Sequence, residues 1–303
     1  MLQEFYSNGK LLLSGEYAIL DGAKGLAVPT KFGQSLQISP RKDTLIAWSS
    51  IGADEKVWFT VMFGLKELEI IETSDEGIAS TLQKILAEAK SANPTFLKSD
   101  KGFEVTTKLS FPRKWGLGTS STLINNIAQW AKVDAHRLLW NSFGGSGYDI
   151  SCAQHNTPIL YHIENNIPKV APVTFNPPFK DVIFFVYLNQ KQSSKSAIKN
   201  YRSKNFNCED LIAKLNAITI KMTSTDDLAT FTSLVESHEE LLSNVLEIAP
   251  VKEHLFSDYS GAVKSLGGWG GDFVMAMGNE KTPEYFKSKG FNTVISYTEM
   301  VLY

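Results

Sequence analysis

Four short stretches combine residue types that do chemistry at close spacing. In "PRKWGLGTSST", Pro112 to Thr122, Gly116 and Gly118 flank Leu117 and run into Thr119, Ser120 and Ser121, with Arg113 and Lys114 just upstream. Glycines let a backbone approach a ligand closely. Hydroxyls cap helices, donate to phosphate oxygens or ligate Mg²⁺. If a helix starts here, its unpartnered amides and the positive end of its dipole favour an anion such as phosphate. The plain alternative is a capped helix after a turn. The stretch is neither a Walker A loop nor a complete G-x-G-x-x-G.

In "GGSGYDIS", Gly144, Gly145 and Gly147 precede Asp149, whose carboxylate suits a general base if a substrate hydroxyl comes within reach, or else a turn or helix cap. In "SLGGWGGDFVMAM", glycines surround Trp269 and lead through Asp272 into an apolar strand, so that either another loop or a ligand passes close to the backbone. Near the start, "NGKLLLSGEYAIL" sets Lys10, Glu16 and Tyr17 around a short apolar run. The five histidines show no metal-ligand spacing and are read as structural. Neither "GTSST" nor "GGSGY" completes G-x-S-x-G, which removes a serine hydrolase of that type.

The elements that must hold these loops follow from periodicity. Strand-like runs fill Lys10 to about Ile71, and apolar residues at three- and four-residue steps predict a helix around Ile78–Ala89. A strand is expected over Lys101–Leu109. Leu123, Ile124, Ile127, Ala128 and Ala131 then predict a helix beginning at the hydroxyl cluster. Prolines and asparagines between 165 and 179 suggest a domain boundary, after which "DVIFFVYL" restarts as a strand. Helical patterns are read at about 194–203, 208–222, 226–247 and 253–266, then a strand "FVMAMG", a short helix near 282–289 and a strand "TVISYTEMVLY". The fold class is α+β.

The 303 residues carry a net charge of −2, which removes any global electrostatic argument for nucleic acid or an anionic membrane. Two cysteines, Cys152 and Cys208, are too few for a disulfide framework and point to a reducing, cytoplasmic setting. No stretch reaches the roughly 18 uncharged apolar residues of a membrane span.

Taken in this order and at these distances, the stretches resemble the motifs of the GHMP kinases, the family of galactose, homoserine, mevalonate and phosphomevalonate kinases. "GKLLLSGEYAIL" is similar to the first motif, with Glu16-Tyr17 nearest the phosphomevalonate kinase version. "PRKWGLGTSS" resembles the P-x-x-x-G-L-G-S-S phosphate loop, and "GGWGGDFVMAM" the third, glycine-rich motif. "GSGYDIS" followed by "ILY" is similar to the segment that carries the catalytic aspartate. The resemblance implies a ribosomal-protein-S5-domain-2-like N-terminal domain (1–170) that binds ATP and a ferredoxin-like C-terminal domain (171–303) that completes a substrate cleft. It implies ATP and Mg²⁺ as cofactors. Pro112, Gly116, Leu117, Gly118, Thr119, Ser120 and Ser121 would hold ATP, with Ser120 also on the metal. Asp149 would be the base, kept ionised by Lys10 beside it. Glu16, Tyr17, Gly147, Ser194, Gly270 and Gly271 would face the acceptor.

The chain departs from the family in three places. Asp134 is the lone acid between Ser121 and Asp149, where mevalonate kinases place a metal-binding glutamate, and that interval is short. Trp269 stands where the third motif has a small residue, and would narrow the acceptor pocket or stack on a ligand. Lys180, Lys191, Lys195, Lys199, Arg202 and Lys204 face a single acid, Asp181, between 180 and 204: a solvated helix face, or a site for an anionic acceptor met at the helix start by Ser193 and Ser194. The expected activity is phosphoryl transfer from ATP to an alcohol or phosphate on a small molecule, mevalonate- or phosphomevalonate-like, by a monomer or homodimer with no nucleic-acid or membrane partner. The alternatives are a diphosphomevalonate-decarboxylase-like enzyme and a catalytically silent binder.

Overall fold

The computed structural model describes residues 2–269 and 271–303. In chain order the elements are β1 (Gln3–Leu12), β2 (Gly25–Pro40), β3 (Leu45–Ile51), β4 (Val57–Gly64), β5 (Ile70–Thr73), α1 (Glu76–Ala92), β6 (Phe103–Leu109), α2 (Thr119–Ala131), α3 (Ala135–Ser142) and α4 (Tyr148–Gln154). Next come β7 (Ile159–Glu164), β8 (Ile167–Pro172), β9 (Ile183–Tyr187), α5 (Ser194–Arg202), α6 (Cys208–Ser224), α7 (Leu228–Leu246) and α8 (Val251–Leu255). The chain closes with β10 (Ala262–Ser265), β11 (Phe273–Met277), α9 (Thr282–Ser288), β12 (Val294–Ser296) and α10 (Tyr297–Met300).

Two compact units share these elements. The first comprises Met1–Gly9, Phe32–Arg113 and Leu117–Gln154; the second comprises Lys10–Lys31, Lys114–Gly116 and His155–Tyr303. In the first unit the strands run β5-β4-β3-β6-β2, with β3 and β6 parallel and the other pairs antiparallel. Along β3, buried Ile46, Trp48 and Ser50 alternate with more exposed neighbours, the period-two signature of a strand with one face on a core. That core takes Leu36, Phe59, Phe63 and Val105 from the strands, Leu82 and Leu86 from α1, and Ile124, Ile127 and Ala128 from α2.

In the second unit β2 pairs through Gly25–Ala27 with β7, and β7 turns into β8 through Asn165 and Asn166, both at positive φ. Two left-handed residues are what a tight hairpin turn requires. The boundary drawn between residues 170 and 171 falls inside β8, within this unit. Its other sheet is antiparallel in the order β10-β11-β9-β12, with α5 to α8 between β9 and β10 and α9 between β11 and β12. This strand order and connectivity are those of a ferredoxin-like sheet.

Two sequence expectations fail here. The helix read over 253–266 stops at Leu255, and Ala262–Ser265 is a fully buried strand paired with β11. Gly261, just before β10, allows a close approach to β11, since a Cβ there would lie 1.9 Å from the Met277 carbonyl oxygen. The strand read across "TVISYTEMVLY" ends at Ser296, which caps α10 in a reciprocal capping box with Glu299.

Candidate active site

Helix α2 begins at Gly118, which sits in the left-handed region (φ 93°) and offers no side-chain cap. Ser121 Oγ and Thr122 Oγ1 turn back onto the Gly118 carbonyl, each at 2.9 Å, and Thr122 also reaches Gln34 at 2.7 Å. These hydroxyls satisfy carbonyls and leave the amides at the helix start uncapped. By contrast α1, α3, α5, α6 and α7 are each capped by a side chain: Asp75, Asp134, Ser193, Asn207 and Asp227. Among the described helices of eight residues or more, α2 is the one whose N-terminus is left open to an anion. Ser120 is exposed and stands outside this hydroxyl network, whereas Leu117 is fully buried and anchors the loop. Pro112 is exposed just before the turn, and Arg113 lies over the Trp58 ring, 3.6 Å from its centroid. The cation expected near the loop from Arg113 is thus engaged with an aromatic face.

Lys10 Nζ donates to the Gly116 carbonyl at 2.9 Å, within the second unit. Gly116 has φ 68°, and a Cβ on it would lie 2.6 Å from Asp272 Cγ. The close approach that its missing side chain permits is therefore to a carboxylate of the protein itself. The third motif follows the same logic. Cβ atoms on Gly268 and Gly271 would lie 2.8 and 2.5 Å from Gln192 Cβ and Cγ, so these glycines make room for the loop after β9. Gly270 lies outside the described residues, as does the Ser194 side chain; Ser194 is the first residue of α5.

Asp149 belongs to the first unit, in the opening turn of α4, where its Oδ1 accepts the Ile150 amide at 3.1 Å. Gly147 precedes it at φ 84°, its carbonyl accepting the Ser151 amide. His136 Nε2 and Ser151 Oγ are 3.0 Å apart. Burial lowers the His136 pKa, opposed by Asp134 and Asp149.

Glu16 and Tyr17 are buried among protein partners in the second unit. Glu16 Oε1 receives the Lys264 ammonium in a short ion pair, and His238 Nε2 lies 3.1 Å from Oε2 while accepting the Gly15 amide at 2.9 Å. Burial alone would raise the Glu16 carboxyl, but the Lys264 ammonium against it leads the contacts that pull it down to about 2. Glu239 stands 3.9 Å from Lys264 and accepts from Ser265 Oγ at 3.2 Å. Burial, reinforced by the Glu16 charge, pushes Glu239 up to about 7 against the pull of Lys264 and Ser265. His238 is held below its ordinary pKa by burial and by Lys264, and is neutral. Tyr17 stacks on Tyr201 with centroids 5.5 Å apart, and its hydroxyl accepts the Trp269 amide at 3.1 Å.

Trp269 itself packs with Tyr17, Tyr201, Leu211 and Leu242 in a core of the second unit. The indole expected in the acceptor pocket or on a ligand is a core side chain with 7% of its surface exposed. The basic stretch is partly neutralised within the same unit, Arg202 pairing with Asp21 and Lys204 with Glu247 at 2.5 Å, while Lys180 donates to the neutral Asn176 amide oxygen. Sequence reasoning passed over Lys264, Glu239 and the carboxylate of Asp272, and read His238 with the other histidines as structural, which its burial bears out. His238 carried a signal, since it sits on the apolar stripe Phe231, Val235, Leu242, Leu246 of α7. A polar residue on a core stripe announces a buried partner.

No helix among the described residues is long and apolar enough to cross a membrane. No protein-family model and no curated protein matches the sequence. Solved structures do match it. A mevalonate kinase from Methanococcus jannaschii superposes with a TM-score of 0.73 at 16% identity, over 97% of this chain and 96% of that one. A phosphomevalonate kinase from Streptococcus pneumoniae, solved with phosphomevalonate and AMPPNP, gives 0.70 at 14% identity over 99% and 98%. The Lactococcus lactis galactokinase, solved with galactose, gives 0.67 at 14% over 95% and 88%. Over nearly its whole length, this chain carries the α+β fold of the GHMP kinases, as its motifs implied.

Proposed function

We propose that this protein is an ATP-dependent kinase that transfers the γ-phosphoryl group to a hydroxyl or phosphate of a small anionic acceptor of the mevalonate or phosphomevalonate type. The observation that carries the reading is the uncapped start of α2 beside exposed Ser120, on a fold whose solved examples include one with an ATP analogue. Gly116 to Ser121 receive the nucleotide phosphates on backbone amides. Bound with the nucleotide, Mg²⁺ would supply charge neutralisation at the phosphate oxygens. Ser120, the exposed hydroxyl of the loop, would hold it, while Asp134 is occupied in capping α3 through the Arg137 amide at 2.8 Å. Asp149 accepts the proton of the acceptor and Lys10 supplies positive charge. These are positioning and electrostatic tasks, which is most of what phosphoryl transfer asks of a protein. Glu16 and Tyr17 act from inside, fixing the first motif through Lys264, His238 and the Trp269 amide. Gly147, two residues before Asp149, faces the acceptor.

The test is ADP release from Mg·ATP with mevalonate, phosphomevalonate, diphosphomevalonate, homoserine and galactose, with CO₂ measured in parallel. Acceptor-dependent ADP without CO₂ is expected. CO₂ released together with ADP, from a diphosphomevalonate-type acceptor, would move the chain to the decarboxylase-like reading. Nucleotide binding with no acceptor-dependent ADP would overturn the kinase reading in favour of a silent binder.

A further inference from the structure

Asp272 is held in an unusual way. Its φ is 54°, a left-handed conformation that few residues other than glycine adopt, although aspartate is among the more tolerant. Its amide donates to the Gln190 carbonyl and its own carbonyl accepts the Leu188 amide, both at 2.8 Å, so the strained residue is fixed from both sides by the strand and loop of β9. Its Oδ1 accepts the Gln192 amide at 3.3 Å. The carboxylate is thereby driven against the Cα of Gly116, whose carbonyl is the acceptor for Lys10. Burial pushes the Asp272 carboxyl up, while Lys10, the Gln192 amide and Lys191 pull it down. All of these residues belong to one unit.

A carboxylate packed into the turn that opens a phosphate loop opposes the binding of an anion, unless its charge serves another group there. The cation bonded into that same turn is Lys10, whose Nζ donates to the Gly116 carbonyl at 2.9 Å. We propose that Asp272 is a positioning residue for phosphoryl transfer: wedged against Gly116, it sets the turn of the phosphate loop and serves as the counter-charge that aims the Lys10 ammonium. The proposal rests on the kinase reading of Lys10 and Gly116. It also explains why position 116 is glycine on steric grounds separate from nucleotide binding, since any Cβ there collides with Asp272.

Asp272→Asn keeps the shape and removes the charge. With its counter-charge gone, Lys10 spends more time as the free amine, so its acetylation by acetic anhydride near pH 8, followed by mass spectrometry, should rise about three- to tenfold. Lys114, in the same turn, should be unchanged. General loosening of the loop would raise both. In turnover, kcat should fall about tenfold while KM for ATP stays within about twofold, the pattern of an interaction used in the transition state rather than in binding. Asp272→Ser, smaller and also uncharged, is made in parallel and should give the same Lys10 response if Asp272→Asn fails to fold. Wild-type Lys10 reactivity in the folded variants, or equal gains at Lys10 and Lys114, would overturn the proposal. The labelling needs no acceptor, so a wild-type enzyme without acceptor-dependent turnover would sink the kinase reading while the Lys10 response still decides the role of Asp272.

Discussion

The start of α2 and the surroundings of Glu16 treat polar groups in opposite ways. At α2 the hydroxyls of Ser121 and Thr122 face a carbonyl, the helix amides go uncapped and Ser120 stands in solvent. Around Glu16 the chain encloses Lys264, His238 and Glu239 and lets them answer one another. An open helix end is completed by a ligand, and its mutation registers in binding and rate. A closed ionic cluster is completed by the fold, and its mutation registers first in stability. The contrast separates a helix end left open to an anion from a buried ionic cluster closed by its own partners.

The largest effect should come from the closed side. Lys264→Met leaves two carboxylates facing each other without a cation, and removing one partner of a buried ion pair costs about 3–5 kcal/mol. Denaturant unfolding measures it, and a loss below about 1 kcal/mol would mean the cluster is solvated in solution. On the open side, Asp149→Asn should lower kcat roughly a hundredfold, about 2.7 kcal/mol in the barrier, with nucleotide affinity and unfolding midpoint nearly unchanged. Unchanged turnover would remove Asp149 from the chemistry.

A pH series sharpens the comparison next. Glu239, raised from 4.5 to about 7 in the folded state, binds more protons folded than unfolded between those values, so its contribution to stability falls as pH rises through that window. Glu16, lowered to about 2, works the other way: its contribution is present above 4.5 and is lost as pH falls toward 2. His238, held neutral, favours the fold above its ordinary 6.5 and loses that contribution as pH drops. Unfolding of Glu239→Gln compared with wild type isolates the first of these: the difference in stability should grow from pH 5 to pH 7 in favour of the variant. A constant difference would show that Glu239 is ionised throughout. The smallest effect is Ser120→Ala, which should leave stability within about 0.5 kcal/mol, as for an exposed residue, while raising the Mg²⁺ concentration needed for half-maximal rate. An unaltered Mg²⁺ dependence would leave Ser120 without a metal role.

The open region was legible in the sequence because its signals are local. Glycines, hydroxyls and the apolar repeat from Leu123 to Ala131 lie within twenty residues, and the helix starts where they predict. The closed region was not, because its members are far apart in the chain: Glu16 follows β1, His238 and Glu239 lie on α7, and Lys264 is in β10. Lys264 was hidden twice over. Apolar residues at Phe256, Tyr259, Val263 and Leu266 imitate helical spacing, and a lysine in a short, wholly buried strand breaks no pattern that spacing can reveal. Trp269 misled for a related reason. Its glycine neighbours suggested a ligand loop, but the space they open is filled by Gln192, and the indole turns into a core shared with Tyr17 and Tyr201.

The central claim, that the uncapped start of α2 receives nucleotide phosphate, is tested most directly by backbone amide NMR of the protein titrated with Mg·AMPPNP. Gly118, Thr119, Ser120 and Ser121 should shift together and saturably, with the capped starts of α1 and α6 unmoved. Saturable nucleotide binding that leaves those four amides where they were would contradict it.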